Sequence, residues 1–229
     1  MATSYLLSLP AAPPGIADAE NGGVHTGPFS RVARPLTPPM RAEMDRLAGR
    51  LGAPIIRDVP LDDIAFDPVG NPSRFAEVCM VVRRPSGNVL LSIKTFYPRG
   101  AYRLPTGGID KDEPILDAVL RETLEETGLT VSVRLVLAAL TYRHGPDCPP
   151  VFHTFAFLLD DPSGAPVTPL DEHEQIESYL EVPVSELPRV AERLDHIPPD
   201  GAAGIPIWGA WGRFRAHAHR VVHEALTAP

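Results

Sequence analysis

Residues 107–129 read GGIDKDEPILDAVLRETLEETGL, and this stretch decides how the rest of the chain is read. Gly107 is followed at fixed intervals by Glu113, Arg121-Glu122, Glu125-Glu126 and Gly128-Leu129, giving G-x5-E-x7-R-E-x-x-E-E-x-G-hydrophobic. The spacing predicts a helix from Pro114 to Thr127. Proline is tolerated in a first helical turn, and Asp112 or Glu113 can cap the free N–H groups there. Gly128 suits the left-handed conformation common just past a helix C-terminus. At about 100° per residue with Arg121 at zero, Glu125, Glu122 and Glu126 fall at about 40°, 100° and 140°. Leu116, Leu120 and Leu124 fall at about −140°, −100° and −60°. The expectation is a helix that packs by its leucines and presents its acids.

Such an acidic face is unfavourable without a partner. Glu122 and Glu126 form a like-charge i,i+4 pair costing roughly a few tenths of a kcal/mol, and Arg121 cannot neutralise every neighbouring acid. Clustered hard oxygens suit Mg²⁺ or Mn²⁺, whereas the window offers none of the sulfur or imidazole ligands that favour zinc. The bland alternative is a solvated helix face. The bounding glycines and the register count against it.

The pattern resembles the Nudix box position by position. The resemblance implies a loop–helix–loop in which Glu122, Glu125 and Glu126 bind the metal directly or through water and the backbone carbonyl of Thr106 adds a ligand. Arg121 would orient the glutamates, Glu113 would anchor the loop of Gly107 and Gly108, and Gly128 would close the box. One departure is Thr123, which stands where an aliphatic residue is usual and whose hydroxyl needs a partner. In many Nudix enzymes a glutamate on a loop beyond the box acts as base; here Glu174, within PLDEHEQIESYLEVP, is the choice, with Glu122 as runner-up. The implied fold is an α/β/α sandwich with a mixed sheet.

The remaining chain fits that frame. The net charge of −8 argues against sequence-independent nucleic-acid binding, which needs a basic surface. Cys79 and Cys148 read as reduced thiols of a cytoplasmic protein rather than a disulfide framework. No apolar run reaches the length of a membrane span, and Tyr5–Leu9 is too short for a secretory signal. Residues 1–36, rich in proline and glycine, read as irregular or disordered. Residues 37–73 read as a helix capped by Thr37, carrying Met40, Met44, Leu47 and Leu51, with a connection holding a short strand at Ile55 and Ile56. The catalytic domain is placed at 74–229, with strands at Phe75–Val82, Val89–Lys94, Val131–Thr141, Val151–Leu159 and Tyr179–Val182. A short helix follows at Pro188–Leu194.

The C-terminal stretch repeats Trp208, Trp211, Phe214, Ala218, Val221 and Ala225 at helical spacing, as for a helix docked on the sheet. A homodimer interface is the alternative. His219 and His223, an i,i+4 pair, could bind a transition metal, but with no third ligand evident they read as members of a solvated face.

Between Lys94 and Ile109, Lys94, Arg99 and Arg103 alternate with Phe96, Tyr97 and Tyr102 and no acid intervenes. These cations could hold a diphosphate and the rings a nucleobase, with Arg143 a weaker candidate. An exposed strand with half-buried aromatics is the structural alternative. Neither the coenzyme A pyrophosphatase signature nor the serine-glutamine-proline-tryptophan marker of NADH-type enzymes is present. Tyr142 and Pro146 lie near positions that go with ADP-ribose or diadenosine polyphosphates in Nudix relatives. The expected activity is metal-dependent hydrolysis of a nucleoside diphosphate linked to another group: ADP-ribose-like, a dinucleoside polyphosphate or a nucleotide sugar. A non-catalytic nucleotide sensor and an isoprenyl diphosphate isomerase are the other readings; the intact box acids oppose the first and missing motifs the second.

Overall fold

The computed structural model describes residues 35–61, 75–198 and 208–228. The expected irregular stretch therefore lies outside the described residues through position 34, as does the connection from 62 to 74. The chain folds as α1 (Pro38–Leu51), β1 (Ile55–Pro60), β2 (Ala76–Arg83), β3 (Val89–Lys94), β4 (Thr106–Gly108) and α2 (Ile115–Thr127). Then come β5 (Ser132–Arg143), β6 (Pro150–Asp160), β7 (Ile176–Val182), α3 (Leu187–Asp195) and α4 (Trp208–Thr227). Among the described residues no helix is long and apolar enough to cross a membrane.

One mixed sheet runs in the order β1-β5-β6-β2-β3-β7, with β4 paired to β2. β2 and β6 run parallel in its middle, and β2 is buried along almost its whole length, as its apolar run requires. Successive side chains of a strand point to opposite faces, so Cys79 and Val81 join the core beneath α3 and α4. Val78, Met80 and Val82 join the core beneath α1 and α2. The result is a three-layer α/β/α sandwich. The N-terminal helix and strand are part of it: β1 pairs parallel with β5, and Met40, Met44 and Leu47 pack into the α2 core.

The feature that places the site is a fork in the sheet. β2 and β3 pair only at Arg83↔Val89 and then diverge. The chain between them fills the gap, bridging Ser92↔Arg103 on the β3 side and then pairing Cys79↔Thr106 on the β2 side as β4. β4 was not expected, being too short to show a period.

Two sequence expectations for α2 change. Its first free N–H groups are capped neither by Asp112 nor by Glu113: Ile115 and Leu116 donate to the Glu43 carboxylate of α1 at 2.9 and 3.0 Å. Nor does the helix pack mainly by its leucines, of which only Leu116 touches the core. Leu120 and Leu124 are exposed, whereas Ile115, Ala118, Val119 and Thr123 are buried together with Glu122 and Glu126. The first two turns carry a second apolar stripe on the same side as the acids, and the sheet takes that stripe. The acids are thereby turned inward.

Glu43→Ala removes the cap from α2 and is expected to lower unfolding stability by about 1–2 kcal/mol. Urea denaturation of the purified variant measures it, and an unchanged midpoint would show that the cap contributes nothing.

Candidate functional site

A cleft of about 800 Å³ opens where the forked sheet meets α2. Glu122, Glu126 and Glu174 line it together with Lys94, Arg103 and Arg215 and with Thr106, Gly107 and Gly108. Gly107 lies against Glu122 so closely that a Cβ there would overlap the Glu122 carboxylate. Glycine is thus required by close approach, while Gly128, with φ of 68°, is required by backbone conformation and donates its N–H to Leu124 C=O at 2.8 Å.

Arg121 ties loop and helix together. Its guanidinium donates to both Glu113 carboxylate oxygens at 2.7 Å, to Glu122 Oε1 and Glu125 Oε2 at 3.0 Å, and to Gly108 C=O at 3.0 Å. Glu113 also accepts from Asp110 N–H at 2.9 Å. The Arg121 hydrogen bonds hold the Glu113 carboxyl below the usual carboxylate range. Glu122 behaves oppositely: burial pushes it up to about 7 against the pull of Arg121, with Glu126 and Glu174 adding to the rise. Glu126 is also pushed upward by burial, opposed by Arg103 and Lys94. Lys94 Nζ bridges Glu174 Oε2 at 2.7 Å and Glu126 Oε1 at 3.3 Å.

The family model for the NUDIX domain matches residues 73–200. The chain belongs to the Nudix family. Among solved structures the chain is similar to the MutT protein from Methanosarcina mazei Go1, at 19% identity over 64% of this chain and 94% of that one, with a TM-score of 0.39. It is similar to an Ap4A hydrolase from C. elegans at 18% identity over 51% and 86%, with a TM-score of 0.40. A Nudix hydrolase from Nitrosomonas europaea matches at 22% identity over 52% and 78%, with a TM-score of 0.40. No curated protein sequence matches the chain significantly.

The family implies a divalent metal, and the donor set fits one. Among the described residues no group of His, Cys, Asp or Glu side chains is gathered closely enough to cage an ion as it stands. Yet Glu126 Oε2 is buried without a hydrogen-bond partner, and two desolvated carboxylates share the cleft floor. A buried acceptor left bare is costly, and a hard cation would satisfy it.

Of the residues singled out from sequence, Lys94, Arg103, Thr106, Gly107, Gly108, Glu122, Glu126 and Glu174 come together. Glu125 is held by Arg121 and is not on the cleft lining. Arg99, Tyr102 and Arg143 are not brought in: Arg99 is exposed, Tyr102 Oη bonds Ser178 Oγ at 2.7 Å, and Arg143 pairs with Asp58 at 2.7 Å beside Pro146. Tyr142 is buried against Phe214, its ring centroid 4.6 Å away, and lies off the cleft. Arg103 is fully engaged, donating to Tyr97 Oη, Leu104 C=O and Thr106 Oγ1. The Thr123 hydroxyl finds its partner in Val119 C=O at 2.6 Å. Both cysteines are free, and burial pushes the Cys79 thiol up to about 12, with Glu77 adding to the rise.

Sequence reading missed α4's contribution. Arg215 reaches the cleft and donates to both Glu77 carboxylate oxygens at 2.6 and 2.8 Å. His219, expected on a solvated face, is 1% exposed. The signal was present: both follow Trp211 at steps of four on the apolar stripe, where a polar residue is buried and therefore partnered. Glu77, a lone acid inside an apolar strand run, carried the same message.

Gly107→Ala is expected to abolish the catalysis proposed below while leaving the sheet intact, because the methyl displaces Glu122; activity with unchanged circular dichroism tests this. A pH effect follows from His219, which burial pulls from its ordinary 6.5 down to about 4, with Arg103, Arg215 and Arg220 also lowering it and its bond to Arg215 C=O opposing. Between these values the unfolded chain binds the extra proton, so this stability is whole above pH 6.5 and is lost as pH falls toward 4. From pH 7 to 5 the wild type should lose about 2 kcal/mol more than His219→Gln. Equal losses in denaturant titrations would contradict the assignment.

Proposed function

We propose that the protein is a diphosphohydrolase that, with Mg²⁺ or Mn²⁺ bound, splits the diphosphate of a nucleoside diphosphate linked to a further group. ADP-ribose, a dinucleoside polyphosphate and a nucleotide sugar are the substrate types this admits. The observation that carries the reading is a single cleft lined by Glu122, Glu126 and Glu174 together with Lys94, Arg103 and Arg215 and the Gly107 turn. Glu122 and Glu126 would hold the ion, with the Thr106 carbonyl as a further ligand and Glu125, off the cleft lining, joining through water. When bound, such an ion lowers the pKa of water and offsets charge on phosphoryl oxygens.

The chain's own residues supply the rest. Glu174 takes the proton of the attacking water as its oxygen bonds to phosphorus. The bridging P–O bond breaks and its electron pair leaves with the departing phosphate. Lys94, bridging Glu174 and Glu126, keeps Glu174 directed into the cleft until phosphate oxygens compete for the ammonium. Phe96, half exposed on the rim and met edge-on by Tyr97 at 4.9 Å between centroids, offers its face to a nucleobase.

A panel of ADP-ribose, diadenosine tetraphosphate and UDP-glucose, assayed by product analysis with Mg²⁺, with Mn²⁺ and with chelator, tests the proposal. Metal-dependent cleavage of at least one is expected. Glu174→Gln should lower kcat about 10²–10⁴-fold, the range of a general base, with little change in stability. Glu126→Gln should remove activity without destabilising the metal-free protein, since its charge is buried and only partly paired. No cleavage with any metal would leave a binding module, and near-normal turnover by Glu174→Gln would remove it as base.

A further inference from the structure

We propose that His219 is a positioning residue: from α4, beyond the span matched by the family model, it fixes the segment Leu104–Thr106 and so sets the Gly107 turn against Glu122. Its importance for catalysis rests on the hydrolase reading, whereas its hold on the segment does not.

The backbone hydrogen bonds around the fork leave one position unserved by the sheet. Arg103 exchanges both its bonds with Ser92 of β3, at 2.8 and 3.0 Å. Pro105 C=O accepts from Met80 N–H of β2 at 2.9 Å. Leu104 lies between, where the chain passes from one diverging strand to the other. Its carbonyl takes a bond from the Arg103 side chain at 2.8 Å. Its N–H donates to His219 Nε2 at 2.9 Å. Leu104 is buried, so water cannot stand in for that acceptor.

The bond fixes the state of the ring. Because Leu104 supplies the proton, Nε2 is the bare nitrogen, and Nδ1 carries the hydrogen it donates to Arg215 C=O at 2.9 Å. The acceptor is therefore braced by the helix it stands on. That helix is anchored one turn earlier by Arg215 on Glu77, whose strand position pairs with Gly108. α4 thus grips β4's partner strand through Arg215 and the chain leading into β4 through His219. Thr106 stands two residues after Leu104, and Gly107 after it comes so close to the Glu122 side chain that no Cβ would fit between them. A slack segment there moves the Thr106 carbonyl and the turn together.

The test compares His219→Leu, His219→Gln and Val222→Ala in the full chain. Glutamine can present a carbonyl acceptor and an amide donor in place of the ring, whereas leucine cannot. Val222 is buried on the same helix and its side chain can make no hydrogen bond to the segment, so its truncation controls for lost packing alone. Amide exchange at Leu104 and across β4 is followed by NMR below the unfolding transition, and affinity for Mn²⁺ alone by electron paramagnetic resonance of the free ion. His219→Leu should speed exchange at Leu104 and β4 about tenfold and weaken Mn²⁺ binding by a similar factor. His219→Gln should stay within about threefold of wild type, and Val222→Ala should leave both readouts unchanged. Exchange that rises at Leu104 alone, or equally in Val222→Ala, would overturn the proposal. Absence of Mn²⁺ binding in the wild type would count against the metal site instead, and the exchange measurements would still decide the role of His219.

Discussion

The structure turns on the burial of two carboxylates, Glu122 and Glu126, on the inner face of α2. Removing a charge from water is expensive unless opposite charge or hydrogen bonds compensate. Here compensation is spread over three cations that belong to other tasks. Arg121 shares itself among Glu113, Glu122, Glu125 and the Gly108 carbonyl; Lys94 bridges Glu126 and Glu174; Arg103 is committed to Tyr97 and the Leu104–Thr106 segment. The acids are left under-satisfied, with Glu126 Oε2 bare. A fold that tolerates this does so because its remaining layers are closed by apolar burial on both sheet faces.

The fork between β2 and β3 makes the arrangement geometrically attainable. A sheet paired without interruption would place an unbroken ladder where the cleft is. Divergence after Arg83↔Val89 lets β4 enter from one side, bringing the turn at Gly107 to the level of the α2 acids. The cost is a stretch of chain whose hydrogen bonds cannot all come from strands. Side chains complete the set: Arg103 at the Leu104 carbonyl and His219 at its N–H.

How far the sequence shows this depends on whether a feature is local. The helix of residues 115–127, its glycine terminus and the register of its acids are local, and they could be read from spacing. So could β2, whose apolar run shows burial on both faces, and α4, whose aromatics recur at helical steps. The helix's orientation was not legible, because α2 has two stripes that could pack. Leu116, Leu120 and Leu124 make the more conspicuous one, and only tertiary contact chooses Ile115, Ala118 and Val119 instead. The Glu43 cap joins residues 72 and 73 positions apart, beyond any local pattern. Arg99 and Arg103 looked alike as cations near the box, yet one is exposed and the other buried, a difference fixed by how the chain crosses the fork.

The part played by α4 follows from the same distinction. The matched family span ends at residue 200, and α4 begins at Trp208. Its aromatic face is occupied within the chain, with Trp208 and Trp211 against Tyr97 and Phe214 against Tyr142. That packing alone would make it a supporting helix. Arg215 and His219 make it more, because they engage Glu77 and Leu104, one on the strand beside β4 and one on the chain leading into it. Tyr97 extends the connection, since its ring packs on Trp211 while its hydroxyl oxygen accepts from Arg103. A shift of α4 would therefore be felt at Glu77, Leu104 and Arg103 together. Those contacts converge on the turn that faces Glu122, so the geometry of the acids depends on a helix that contributes none of them.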